Sequence, residues 1–167
     1  MNRASDNAQD GISLIQTVEG AMDQQHAILQ RARELAVQVA NDTNVTADRN
    51  AISEELSALE KEFTRITSQT EFNTQKLLNG SFTDKNFQVG ANNGQSIAVS
   101  ISETTMTAAS AEVATHTSAT AVIADLDTDI TALSTQRSKL GAIQNRLEYT
   151  VIMQLRTFRM QSLVSAT

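Results

Sequence analysis

The stretch DGISLIQTVEGAMDQQHAILQRARELAVQVAN, residues 10–41, decides the fold. Leu14, Val18, Ala21, Ile28, Ala32, Leu35 and Val39 recur on one stripe, with Gln25 in its one polar slot. Steps of 4 and 3 alternate along the stripe. That is the a/d seam of a coiled-coil-like helix rather than the alternation of a strand. Asp6 is the expected cap, with Gln9 three residues later closing a capping box. A helix from Ser13 to Ala40 would be about 42 Å long at roughly 1.5 Å per residue, which suggests a rod.

The pattern repeats beyond this stretch. Asn41 to Asn44 form a polar break with turn-prone side chains. Ile52, Leu56, Leu59, Phe63 and Ile66 then take up the same 4, 3 spacing, which predicts a second helix over 47–68. So short a connection predicts an antiparallel helical hairpin. Leu126, Ile130, Leu133, Leu140, Leu147 and Val151 carry a third stripe, with Arg137 and Gln144 in its polar slots, on a helix expected to begin near Ala119.

Between helices two and three, Asn73 and Asn79-Gly80 are turn signals, with Phe72, Leu77, Leu78 and Phe82 to pin an irregular segment down. Phe87 and Val89 alternate, as do Ile97, Val99 and Ile101, and GANNGQS between them predicts a β-hairpin. A two-stranded hairpin is marginal alone, so its apolar face should lie on the helices. The fold expected is mainly α, an elongated antiparallel helical bundle with a small β-hairpin alongside. Its parts are residues 1–103, a Thr/Ala/Ser-rich connection over 104–121, and a helix with a less regular tail over 122–167.

Composition narrows the function. Thirteen Lys and Arg against nineteen Asp and Glu leave a net charge of −6, which offers no general attraction to nucleic acid or anionic lipid. The absence of Cys removes disulfides, thiolate nucleophiles and Cys-based metal centres from this chain. Aromatics make up 4% and Pro is absent, which suits thin helix interfaces better than a deep enzyme core. No apolar run approaches the roughly 18 residues of a spanning helix, and MNRASDNAQDG lacks a signal-peptide hydrophobic segment.

Catalytic signals are weak. His26 and His116 stand 90 positions apart without a partner histidine at ligand spacing. Asp42 and Asp127 open calcium-like strings that lack the glycine and terminal glutamate of a binding loop. Glu54, Glu55, Glu60 and Glu62 belong to a solvated helix face. No enzyme activity, catalytic residue, metal or cofactor is expected. One basic string, Gln30-Arg31-Ala32-Arg33-Glu34, reads either as a solvated face with an Arg31–Glu34 pair or as a contact for another protein.

Specific strings go further than periodicity. NAQDGISLIQTVEGAMDQQHAILQRARELAVQVAN, from Asn7 to Asn41, strongly resembles the amino-terminal conserved part of bacterial flagellin. QTEFNTQKLLNG (69–80), FQVGANNGQSIAVSI (87–101) and STQRSKLGAIQNRLEYTV (134–151) resemble later blocks of that family, in the same order. The resemblance implies a structural subunit that packs into the extracellular flagellar filament and serves motility. It leaves by the flagellar export route, with other subunits, an export chaperone and cap proteins as partners of the full-length form. The rod core would comprise Leu14, Val18, Ile28, Ile52, Leu56, Leu59, Phe63, Leu126, Ile130, Leu133, Leu140 and Leu147. Residues 104–121 stand where the family carries its variable outer region.

The family pattern also includes segments before Asn7 and after Val151 that line the filament channel. Here the chain starts close to the rod and its tail reads IMQLRTFRMQSLVSAT, so a rod-domain piece is expected. A hook–filament junction protein is the structural alternative, and the long QRARELAVQVAN and FNTQKLLNG matches favour flagellin. The resemblance finally implies recognition by the animal innate immune flagellin receptor through Gln30, Arg31, Leu35 and Glu55. Leu35 also falls on the interior stripe, which leaves Arg31 as the exposed anchor.

Overall fold

The computed structural model describes residues 2–107, 113 and 115–164, with side chains at 3–107, 113 and 115–156. Three helices carry the fold: α1 (Asn2–Val39), α2 (Thr46–Gln69) and α3 (His116–Val164). Four short strands lie between α2 and α3: β1 (Glu71–Phe72), β2 (Gln75–Lys76), β3 (Lys85–Gln88) and β4 (Ser96–Val99). Of the connection over 104–121, residues 108–112 and 114 lie outside the described residues, as do 165–167 of the tail.

α1 has 38 residues and spans about 57 Å at 1.5 Å per residue. It begins at Asn2, so Asp6 and Gln9 lie within it and form no capping box at its start. Buried Ala4 and Ala8 extend the apolar face upstream, and once a helix is nucleated each added residue costs little. α3 starts at His116, three residues before the expected Ala119, because Thr115 and Ser118 cap each other. The Thr115 N–H donates to Ser118 Oγ (3.1 Å) and the Ser118 N–H to Thr115 Oγ1 (3.2 Å). This is a capping box with Ser in place of the usual Glu or Gln. The helix continues to Val164 through the less regular tail.

α1 and α3 run antiparallel in one register along their shared length. His116 meets Ala40, Asp127 meets Arg33, Arg137 meets Asp23, and Leu147 lies beside Gly11. α2 folds back on α1 in the same sense, with Arg49 against Val39, Glu55 against Arg31 and Thr67 against Gln25. α1 is thereby flanked on two sides, and one stripe is too narrow for that. A second row, Ile15, Met22, Leu29 and Ala36, is fully buried beside Leu14, Val18, Ala32, Leu35 and Val39, while Ala21 and Ile28 are half-buried.

The corner between α1 and α2 is built from polar side chains that close the last carbonyls of α1, groups a helix end leaves unpaired. Asn44 Nδ2 donates to Gln38 O (2.7 Å), Arg49 Nη1 to Val39 O (2.8 Å) and His116 Nδ1 to Ala40 O (2.7 Å). Three separated residues thus act as one cap, and a carbonyl acceptor requires His116 to carry its proton on Nδ1.

The irregular segment after α2 contains a tight hairpin that sequence pattern left unassigned. Glu71 pairs with Lys76 and Phe72 with Gln75, across a turn in which Asn73 (φ 48°) and Thr74 (φ 64°) are left-handed. Two left-handed central residues are the signature of a type I′ turn. Leu77, Leu78 and Phe82 follow into the core. β3 and β4 form the expected antiparallel hairpin in the register Lys85–Val99 to Gln88–Ser96. Ile97, Val99, Val89 and Ile101 point inward, and Phe87 is half-buried beside Gly11 of α1. Gln154 of α3 donates to Val89 O and ties the hairpin's far end down.

Candidate interaction surface

Among the described residues no group of three His, Asp or Glu could hold a metal ion. His26 faces Gln30, and His116 is at the α1 corner. The calcium-like Asp42 and Asp127 are engaged by Arg49 (3.4 Å) and Arg33 (2.6 Å). Two open depressions of about 490 and 300 Å³ flank the β3–β4 tip and the Phe63–Gln136 layer.

What the helices do assemble is a charged outer face on α1. Arg31 lies on the side turned away from the core, and its guanidinium bridges to α2. Nε donates to Glu55 Oε1 at 3.0 Å and Nη2 to the same oxygen at 2.8 Å, while Nη1 reaches Glu34 Oε2 at 3.3 Å. The intrahelical Arg31–Glu34 contact is therefore the longer of the two. Hydrogen bonding to Glu55 first, then to Glu34, raises the Arg31 guanidinium above its ordinary range. Arg33 behaves likewise through its hydrogen bond to Asp127 of α3. Both partners of the Arg31–Glu55 pair stay about half exposed, at 50% and 45%. Exposed ion pairs add little to stability, so this pair's value lies in holding a donor fork and a carboxylate in a fixed relative position.

The structure thus brings Arg31 and Glu55 together and places Gln30 on the same exposed side of α1. Leu35 does not join them. It is 2% exposed and packs in the core, because α2 and α3 close over its face of the helix. Of the expected core residues, Leu14, Val18, Ile52, Leu56, Phe63, Leu126, Leu133, Leu140 and Leu147 are buried, while Ile28, Leu59 and Ile130 are half-buried at its margin.

A polar layer inside the seam is the feature the stripe did not foretell in detail. Gln25 is fully buried, and its Nε2 donates to Thr67 Oγ1 (2.8 Å) and Thr104 Oγ1 (2.9 Å). It joins α1, α2 and the segment after β4 at one level. Asp129, also buried, accepts from the backbone N–H (2.7 Å) and hydroxyl (3.1 Å) of Thr107 and ties the same segment to α3.

Residues 1–83 match the family model of the bacterial flagellin N-terminal helical region. The chain is 47% identical over 156 residues to a flagellin of Halalkalibacterium halodurans, covering 90% of this chain and 57% of that protein. It is 40% identical over 188 residues to the flagellin of Bacillus subtilis, covering 90% of this chain and 62% of that protein. The chain therefore spans about three fifths of the length of these two relatives. The crystal structure of Bacillus cereus flagellin superposes with a TM-score of 0.80 at 28% identity, covering 88% of this chain and 87% of that one.

Proposed function

The chain is homologous to bacterial flagellins, and from that premise we propose that it acts as a structural subunit of the flagellar filament, contributing to motility through its rod. The observation that carries this reading is the continuous antiparallel α1–α3 register with the β3–β4 hairpin seated on it, in a fold shared with Bacillus cereus flagellin. A long rod with two flanks and two ends suits repeated packing against copies of itself, as helical polymers require. The subunit is extracellular and leaves by the flagellar export route, with other subunits, an export chaperone and cap proteins as its partners. Among the described residues no helix is long and apolar enough to cross a membrane. The short stretch between β4 and the start of α3 at His116 stands in place of a bulky outer region.

The test is a chimera. Residues 7–147 replace the corresponding segment of the Bacillus subtilis flagellin, and cells are scored for filaments by electron microscopy and for swimming. Filaments and swimming are expected. A chimera that is exported and folded, with the helical content of the parent, yet forms no filament would overturn the proposal.

A second reading rests on the Arg31 face: recognition by the animal innate immune flagellin receptor through Gln30, Arg31 and Glu55. It is supported by the half-exposed Arg31–Glu55 pair, which holds a guanidinium and a carboxylate in a fixed relative position on the outer face. Receptor affinity measured on the parent and on Arg31→Ala, alongside stability, tests it. Lower affinity with stability little changed supports the interface, and unchanged affinity rejects it.

A further inference from the structure

The chain contains two Asn-Gly pairs, Asn79-Gly80 and Asn93-Gly94; both asparagines are exposed, and they differ in how their side chains are held. This dipeptide is chemically fragile because glycine has no side chain to hinder attack by its own backbone nitrogen on the asparagine amide. Both glycines here are left-handed, Gly80 at φ +76° and Gly94 at φ +82°, so the local turn alone does not separate them.

The surroundings do. Asn79 Oδ1 accepts two hydrogen bonds from Ser81, from the backbone N–H at 3.2 Å and from the hydroxyl at 2.6 Å. A backbone N–H only donates, so the atom facing it is the oxygen and the amide has one orientation. Gly80 is half-buried, and a Cβ built on it would lie 3.3 Å from Glu103 Cβ. The flanking Leu78 is in the core.

Asn93 and Gly94 occupy the exposed tip of the β3–β4 hairpin, with nothing within 4 Å of a Cβ built on Gly94. Their neighbours are tied down. The Asn92 N–H donates to Gln95 Oε1 (3.0 Å), and Asn92 O accepts from Gln88 Nε2 (2.9 Å) and from the Gln95 N–H (3.3 Å). Asn93 has no side-chain hydrogen bond among the described residues, so its amide turns freely and its Cγ can approach the Gly94 nitrogen.

We propose that Asn93 is a site of spontaneous covalent modification by deamidation, and that Ser81 protects the otherwise equivalent Asn79. The Gly94 nitrogen loses its proton to solvent base and attacks Asn93 Cγ. The Cγ–Nδ2 bond breaks, and ammonia leaves after taking up a proton. The cyclic imide is then opened by water at either carbonyl, giving aspartate or, with the chain rerouted through the side chain, isoaspartate. No oxidant or reductant is involved. Each event adds one negative charge to a chain of net −6 and places it at the hairpin tip. The isoaspartate product also inserts a methylene into the turn.

The experiment is incubation of the whole purified chain in mildly alkaline buffer, followed by peptide mass mapping of the one-unit mass gain and enzymatic detection of isoaspartate. The parent is compared with Asn93→Gln and Ser81→Ala, and each is run folded and in denaturing urea. Folded parent should modify Asn93 at least about tenfold faster than Asn79, since a closed local conformation must open before it reacts. In urea the two rates should converge. Ser81→Ala should raise the Asn79 rate, and Asn93→Gln should abolish modification at the tip. Equal rates in the folded chain, or a faster Asn79, would overturn the proposal. So would an unmodified Asn93 under conditions where the urea control reacts.

Discussion

Gly20 and Gly11 both interrupt α1, and replacing each with Ala should have opposite consequences. A glycine in a helix interior costs about 0.5–1 kcal/mol relative to Ala, because the unfolded chain has more freedom to lose. Neither residue has a positive φ, so Ala fits the backbone at both. At Gly20 an added Cβ meets nothing within 4 Å. The full gain should appear, about 0.8–1 kcal/mol, equivalent to roughly 2–4 °C in Tm for a domain of this size. At Gly11 the same Cβ would lie 3.1 Å from Leu147 Cδ1 and 3.3 Å from Phe87 Cδ1. Overpacking typically costs about 1–3 kcal/mol, which cancels or exceeds the gain and leaves a net loss of about 0–2 kcal/mol. Urea unfolding followed by circular dichroism reads both, as shifts of the midpoint at constant slope. If Gly11→Ala stabilises as much as Gly20→Ala, then α3 and the β3–β4 hairpin do not close on α1 there. If Gly20→Ala destabilises, the outer face of α1 at that level is not open.

Leu56→Ala and Leu133→Ala, at sites 3% and 4% exposed, should each cost about 2–5 kcal/mol in the same unfolding assay, with exposed Glu54→Ala as a surface control. Arg49→Ala should cost about 1–3 kcal/mol, because Val39 O loses its partner at a site where the side chain is 12% exposed. Arg65→Ala, which removes an exposed pair on one helix, should leave the urea midpoint close to that of the parent. The Arg65 hydrogen bond lowers the Glu62 carboxyl below its ordinary 4.5. Its contribution is therefore present above that value and lost as pH falls through the lowered one. Acid titration of parent and Glu62→Gln should show their stability difference vanishing in that window, and a constant difference would count against the pair.

The 4, 3 spacing made three helices legible because packing on a rod leaves periodic residues no other place to go. It understated α1, since a stripe records one neighbour and α1 has two. Ile15, Met22 and Leu29 were visible as apolar letters but belong to the second row, which only the position of both α2 and α3 defines. The cap at Asp6 failed because the residues before it continue the helix, so a capping residue type is a stop signal only where the pattern ends. The true cap of α3, Thr115 with Ser118, has a weaker signature than Thr with Glu and lies in a run of Thr, Ala and Ser where many residues could serve. For the surface, Arg31 was legible as a charge on the outer face, while its pairing with Glu55 depends on how the helical hairpin closes and is invisible to spacing. Leu35 carried two incompatible roles, and burial decides for the core.

The polar slot at Gln25 shows what a stripe of small aliphatics cannot do for itself. Leu, Val and Ala at 4, 3 spacing pack almost as well after a slide of one heptad, so apolar area alone defines the register of a long rod weakly. Gln25 Nε2 reaches two hydroxyls on two different segments, whereas Gln25 Oε1 has no hydrogen-bond partner. That balance is poor for stability, since a buried acceptor left unpaired costs about 1–3 kcal/mol, comparable to what the two bonds return. Thr67 also donates to Phe63 O at 3.1 Å, so its hydroxyl is not left without a partner if the amide is withdrawn. The layer's distinctive effect is positional: a one-heptad slide carries the amide away from both hydroxyls and leaves it buried among apolar side chains. Further along the rod Asp129 holds Thr107, so the segment after β4 is fixed against α3 as Gln25 fixes it against α1 and α2. In the filament role proposed above, a rod presenting the same flank at every copy would gain from such a layer even where it gains no stability, because lateral packing depends on the surface register and the surface register follows the seam.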